Sequence, residues 1–273
     1  MTVAILSILG LSILFLWLVF PALRRHRDRN VLNGLYIAHR GLHDASNGIP
    51  ENSLPAFERA VEQGFAIEND IHLTADGEVV VFHDDTLERM CGVSGRVEDM
   101  TLAELKQLRL FNSEETIPTL QECLEVVAGK VPLLIEFKCP NFRATPLCRA
   151  ADRILAEYTG TYFVQSFFPP VLLWYRLHRR TVCRGQLASA FVGEAFYKRL
   201  LGCLVFNVLA RPDFVSYEHT YAAHPMRRFT TWLGAFSVCW TLQSQQELED
   251  AKKIFSAFIF EHFIPKDGSN FYR

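Results

Sequence analysis

Two hydrophobic patterns divide this chain. From Val3 to Phe20 nearly every residue is apolar, with no polar stripe at helical spacing. From about Leu35 onward, short apolar runs rich in β-branched and aromatic residues alternate with amphipathic stretches of helical period. The strand-like runs are Leu35–Ala38, Ala66–Leu73, Leu133–Phe137, Tyr162–Ser166, Arg184–Ala188, Phe214–Tyr217, Val238–Leu242 and Ala257–Phe260. Helical patterns separate most of them, for example Ser53–Gln63, Thr119–Val127, Thr145–Glu157, Pro169–Arg179 and Ser244–Phe255. Ser53 is the N-cap of the first and Gly64 its stop. Leu200–Ala210 is apolar but too short to span a bilayer; it reads as a barrel helix, with surface contact to lipid as the alternative. Eight β-then-α units in so short a body predict an α/β fold, a (β/α)8 TIM barrel over 35–273. One departure stands out. Ala66–Leu73 is followed by Asp76-Gly77 and then Glu78–His83, the pattern of a tight hairpin that turns the second strand back. The insertion after it, Asp84–Gln121, starts with Gly92 and Gly95 and holds one short helix at Leu102–Leu108.

The first apolar run changes the picture from soluble barrel to anchored barrel. At 1.5 Å per residue about 20 residues cross the roughly 30 Å hydrocarbon core. A cleaved signal peptide would carry a basic leader and a small-residue cleavage site, both poorly matched here. We therefore expect a transmembrane anchor at 1–23, a basic linker at 24–34 and the barrel domain at 35–273. Arg24, Arg25, Arg27 and Arg29 follow the run, and no Lys or Arg precedes it, so the positive-inside rule places the body of a single-pass membrane protein in the cytoplasm. Seven scattered cysteines without a C-x-x-C pair fit free thiols in a reducing compartment. Nothing in Met1–Leu23 has a face suited to packing on a barrel, so a chain beginning near Asn30 is expected to fold. Residues 31–273 hold 24 Lys and Arg against 29 Asp and Glu, which excludes the basic footprint of a nucleic-acid binder.

Active sites of such barrels form at the C-terminal ends of the strands. There the sequence places His39-Arg40-Gly41, then Glu68 and Asp70, then Glu136 and Lys138, with His83-Asp84 closing the hairpin. Residues i and i+2 share one face of a strand, so Glu68 points with Asp70 and Glu136 with Lys138. Carboxylates inside a barrel are costly unless compensated. Two compensations stand open on the residues alone: a hard divalent cation in an all-oxygen set, Mg²⁺ or Ca²⁺, or a salt-bridged network with Arg40 and Lys138. His39 and His83 leave general acid and base roles open, because imidazole is the side chain best suited to proton transfer, and Arg40 and Lys138 can neutralise phosphate oxygens. His43, His72 and His178 have no partner at telling spacing, Cys139 reads as packing, and Ser166 lacks a nucleophile-elbow context.

Taken in order, His39-Arg40-Gly41, Pro50-Glu51-Asn52-Ser53, Glu68-Asn69-Asp70, Asp76-Gly77 and His83-Asp84 resemble the opening of the glycerophosphodiester phosphodiesterases. Ile117-Pro118-Thr119-Leu120, Ile135-Glu136-Phe137-Lys138, Gln165-Ser166-Phe167 and Trp240-Thr241 extend the likeness to about Leu242. The resemblance implies a TIM barrel that hydrolyses glycerophosphodiesters to glycerol 3-phosphate and an alcohol with a divalent metal. It implies that Glu68, Asp70 and Glu136 ligate the metal, that His39 and His83 form the acid/base pair, and that Arg40 and Lys138 bind phosphate. Trp240 is expected to line the mouth or to pack in the core. Two alternatives accompany this reading, a lysophospholipase D acting on membrane lipids and an anchored phosphoester binder without catalysis. The chain departs from the family at its end. Relatives finish the last strand with a Thr-Asp-Pro-like turn, where this chain has Ile259-Phe260-Glu261-His262-Phe263, which puts substrate preference in doubt.

Overall fold

The computed structural model of the chain describes residues 2–22, 26–140 and 143–266. Met1, Leu23, Arg24 and Arg25 of the anchor and linker lie outside the described residues, as does the side chain of Arg27. Nine strands form: β1 (Tyr36–Ala38), β2 (Ala66–Leu73), β3 (Val79–Val81), β4 (Leu133–Phe137), β5 (Tyr162–Ser166), β6 (Arg184–Ala188), β7 (Phe214–Glu218), β8 (Phe236–Leu242) and β9 (Ala257–Phe260). All but β3 run parallel in the order β1-β9-β8-β7-β6-β5-β4-β2, and a pairing of β1 with β2 closes them into an eight-stranded barrel. The β3 strand pairs antiparallel with the far end of β2, so the Asp76-Gly77 hairpin forms where the sequence places it. The helices are α1 (Thr2–Val19), α2 (Leu54–Glu62), α3 (Glu88–Cys91), α4 (Leu102–Leu105), α5 (Leu120–Val127), α6 (Ala144–Leu155), α7 (Pro169–His178), α8 (Phe196–Gly202), α9 (Asn207–Ala210), α10 (Pro225–Trp232) and α11 (Gln245–Ala251).

Alternation along each strand sorts side chains into two cores. Inward-facing Ile37, Leu134, Phe163, Phe214, Val238 and Ile259 fill the barrel, while outward-facing residues such as Ile67, Ile135 and Val164 meet the helices. Gly185 on β6 leaves room for the Phe214 ring, which a Cβ at that position would strike. Leu32 and Leu35 close the N-terminal end of the interior, both buried. The linker therefore contributes a 3₁₀ helix, Arg27–Leu32, whose end plugs the barrel floor. Arg29 donates to the Gly234 carbonyl (2.8 Å) and His26 contacts the Thr181 carbonyl (2.9 Å), tying the plug to the floor. The insertion has its own small core of Val80, Phe82, Leu87, Leu105 and Ile117.

Among the described residues, α1 is the one helix long and apolar enough to cross a membrane. Its length is almost wholly exposed, but its end is not free of the barrel. Val19 is fully buried, its carbonyl accepts from the Asn207 amide (3.0 Å), and Arg211 donates to the Phe20 carbonyl (2.7 Å). The expectation that no part of Met1–Leu23 packs on the body fails here. Part of the docking uses orphan carbonyls at the helix C-terminus, which leave no mark in side-chain periodicity. Leu200–Ala210 also differs from its reading as one helix. It divides between α8 and α9, where Leu204 takes a left-handed conformation (φ 58°) and Gly202 approaches the Ser189 carbonyl too closely for any side chain.

Candidate active site

Parallel register brings the carboxylates together. Along β2 and β4, Asp70 lies directly beside Glu136, and Glu136 beside Gln165 of β5, with Glu68 one inward position below Asp70. One oxygen from each of Glu68, Asp70 and Glu136 falls within 4.8 Å of the other two, and all three residues are buried. Lys138 continues the inward series of β4. Its ammonium stands 2.6 Å from Glu136 Oε1 and 3.0 Å from Asp70 Oδ1.

The backbone after β1 turns sharply to bring Arg40 back over the cluster. Arg40 itself sits at φ 55° and Gly41 at φ 79°, and a Cβ at Gly41 would come within 2.9 Å of the Ala56 backbone. Only glycine permits that approach of the turn to α2. The turn points the Arg40 amide at Glu68 Oε2 (3.3 Å), while its guanidinium lies 3.7 Å from Asp70 and 2.7 Å from Glu51. Asn52, also left-handed, donates to Asp70 Oδ2 at 2.9 Å. Glu51 in turn binds Arg89 of the insertion, which chelates Asp84 beside His83. The Pro50-Glu51-Asn52 segment thus links the metal-type cluster to the rim.

Electrostatics divides the three acids. Burial, then the neighbouring Asp70 and Glu136 charges, raise the Glu68 carboxyl well above its ordinary range. Burial works against ionised Asp70 as well, but Lys138, His83 and Arg40 hold it below the usual carboxylate range. Burial would lower Lys138, yet Asp70 and Glu136 push it upward. Both compensations anticipated from sequence are therefore present as geometry: ion pairs to Lys138, and an acidic triad spaced for a cation. The ion pairs leave a surplus. Asn52 Oδ1 and Gln165 Oε1 are buried without hydrogen bonds, and at Glu68 burial and the two neighbouring carboxylates outweigh the Lys138 and Arg40 charges. Oxygen-only donors with orphaned lone pairs fit a hard divalent ion.

Each candidate histidine is held through Nδ1 by a carboxylate. His39 donates to Glu261 Oε2 at 2.5 Å, and His83 to Asp84 Oδ1 at 2.6 Å, which leaves Nε2 as the open ring nitrogen in both. Burial lowers the His39 pKa, with the Glu261 contact opposing it. Burial would raise Glu261, but its bond to His39 and its acceptance from Gln243 (2.9 Å) bring it down to about 2. Glu261 is the residue that sequence reasoning met only as a departure from pattern. Its role follows from barrel closure, which brings β9 beside β1. His72 is fully buried with Nε2 3.3 Å from the His83 carbonyl. His43 lies at the rim, and its Nε2 is 4.0 Å from Glu261. Cys139 is half-buried and packs against the outer core.

One cleft of about 310 Å³ gathers His39, Arg40, Glu68, His83, Glu136 and Lys138, with Asp70 buried beneath. Trp240 forms part of its wall. Its indole donates to the Ser216 carbonyl (3.2 Å) and its ring meets Phe167 edge-on at 5.7 Å, so it both lines the mouth and packs. A larger depression of about 470 Å³ opens beside the cleft over His43, Glu51 and Arg89, outside the carboxylate cluster.

A sequence profile of the Glycerophosphoryl diester phosphodiesterase family matches residues 39–165. A glycerophosphodiester phosphodiesterase of Caldanaerobacter subterraneus subsp. tengcongensis is 46% identical over 103 residues, 35% of this chain and 41% of that one. The chain spans less than half the length of the curated relatives it matches. A phosphodiesterase of Oleispira antarctica, solved with the product sn-glycerol-3-phosphate, shares the fold at TM-score 0.71 and 24% identity, over 85% of this chain and 94% of that one. A glycerophosphodiester phosphodiesterase of Parabacteroides distasonis does so at TM-score 0.67 and 25% identity, over 83% and 92%. The chain is thus similar to the glycerophosphoryl diester phosphodiesterase family in sequence over residues 39–165, the segment that carries the carboxylate cluster, and shares the barrel fold of such enzymes along most of its length.

Proposed function

We propose that this chain hydrolyses glycerophosphodiesters to sn-glycerol 3-phosphate and an alcohol, with Glu68, Asp70 and Glu136 holding one divalent cation, Mg²⁺ or Ca²⁺. The observation that carries the reading is the convergence of three buried carboxylates and two carboxylate-held histidines on one cleft. A bound cation would offset phosphate charge and polarise the ester toward attack. The remaining work falls to the chain's own groups. Arg40 brings a bidentate fork and Lys138 a point charge to the phosphate oxygens, and Trp240 walls the space beside them. His39 and His83 divide the proton transfers through Nε2, one accepting from the nucleophile (water, or a glycerol hydroxyl that forms a cyclic phosphate which water then opens) and the other donating to the departing alkoxide. Incubating the purified chain with soluble glycerophosphodiesters and following phosphorus-containing products tests this. Glycerol 3-phosphate should appear; silence on every soluble diester would sink the reading.

A second substrate class is favoured by one observation. An open apolar depression of about 320 Å³, walled by Phe167, Phe168, Phe191, Tyr197 and Leu201, adjoins Glu136 and Lys138, room for an acyl chain of a lysophospholipid. Comparing turnover of soluble diesters with lysolipids decides between them. The intact His39 and His83 pair speaks against an anchored binder without catalysis. For placement, we propose a single-pass protein with its body in the cytoplasm. The arginines after α1 support this, as do seven cysteines that are all free. A C-terminal reporter active only outside the cytoplasm would overturn it.

A further inference from the structure

One side of the barrel differs from the rest in charge and in exposed apolar surface. Between Pro169 and Ala235, the stretch from α7 to α10, nine Lys and Arg face three Asp and Glu. The remainder of 31–273 reverses the balance, with 15 basic residues against 26 acidic. Arg180, Arg199 and Arg228 are exposed on this side, and none forms a salt bridge among the described residues. The same stretch carries Leu177, Val192, Phe196, Tyr197, Leu209 and Trp232, six of the eleven exposed large apolar side chains outside α1 among the described residues. Trp232 and Phe196 are 78% and 73% exposed. Exposed aromatics among unpaired arginines suit the boundary between lipid headgroups and acyl chains.

Helix α1 adjoins this side. Its Phe15 ring stacks on Phe229 of α10, which stacks on Trp232, and Arg211 lies over the Trp17 ring. These contacts occupy the last five residues of the helix. The stretch Thr2–Leu14 ahead of them is about 20 Å long at 1.5 Å per residue, short of a roughly 30 Å hydrocarbon core. A membrane that accommodates the whole of α1 must therefore reach the barrel surface around Phe229 and Trp232.

We propose that the α8–α10 side of the barrel is seated in the membrane interface, with Trp232 and Phe196 at the acyl boundary and Arg199 and Arg228 among anionic headgroups. The proposal rests on the reading of α1 as a membrane span. The surface runs the height of the barrel, since Val192 and Phe196 follow β6 at the mouth while Trp232 precedes β8 at the floor. The barrel then lies on its side, with the rim near Tyr197 opening toward lipid.

Tryptophan quenching separates this proposal from the reading beneath it. The full-length chain, Trp17→Phe and Trp232→Phe are reconstituted in phosphatidylcholine–phosphatidylglycerol vesicles whose acyl chains carry bromine near the headgroups. Of the four tryptophans, Trp174 is buried and Trp240 lines the catalytic cleft. Quenching of the full-length chain should fall in each variant, because each removes a lipid-exposed indole. Arg199→Glu/Arg228→Glu should reduce the quenching assigned to Trp232 and leave that of Trp17 unchanged. If Trp17 is quenched and Trp232 is not, the barrel stands clear of the membrane and the proposal falls while the anchor survives. If neither is quenched, both fall.

Discussion

At the level of single residues, different carboxylates hold the two histidines proposed for proton transfer. His39, its side chain 15% exposed, leans on Glu261; His83, 31% exposed, leans on Asp84. Replacing either by Ala should lower kcat by about 10² or more, the usual scale of lost acid–base catalysis. A substrate with a strongly acidic leaving alcohol should rescue only the variant lacking the general acid. Glu261→Gln should keep the fold and KM but lower kcat, because an amide no longer selects the His39 tautomer that leaves Nε2 open. An unchanged kcat would reduce Glu261 to a rim residue. His39, Glu68, Asp70, Glu136 and His83 were legible in sequence because strand period and motif spacing are local. The contacts of Glu261 and Gln165 were not, since their partners lie 222 and 97 residues away and meet only when the barrel closes.

Elements were read well where hydrophobic period and turn chemistry agreed. Strands β2, β4, β5, β6 and β9 match their expected bounds, each a run buried on both faces between turn residues. The capping box of Thr119 and Glu122, with Thr119 Oγ1 accepting from the Glu122 amide at 3.1 Å, starts α5 where its pattern begins. Thr119→Ala should cost about 0.5–2 kcal/mol in chemical denaturation, the range for a lost N-cap. The α8–α9 region was less legible. Its composition favours one continuous helix, but the close approach of Gly202 to the Ser189 carbonyl and the left-handed Leu204 break it, and neither feature has a local sequence signal.

For the whole molecule, the linker is the part that the structure revalues. Leu32 is fully buried at the barrel floor, and Arg29 and His26 tie it there. A chain cut just before His26 should fold and turn over soluble diester with an unchanged kcat. A cut after Leu32 removes the plug, and by the scale of buried large-to-small changes stability should fall by about 2–5 kcal/mol. Equal melting temperatures for the two truncations would show the plug to be dispensable. Composition alone suggested a linker here, because four arginines in six residues mask the apolar pair Leu32 and Leu35 that follows.

The central claim is that the buried triad works through a divalent cation, and turnover before and after chelation tests it most directly. With the full-length chain and a soluble glycerophosphodiester, a chelator should abolish release of glycerol 3-phosphate, and added Mg²⁺ or Ca²⁺ should restore it. Glu136→Gln should remain folded, bind the ion more weakly and stay inactive after the same addition. Turnover that persists undiminished in chelator would contradict the account, leaving Lys138 as the compensation for the three carboxylates.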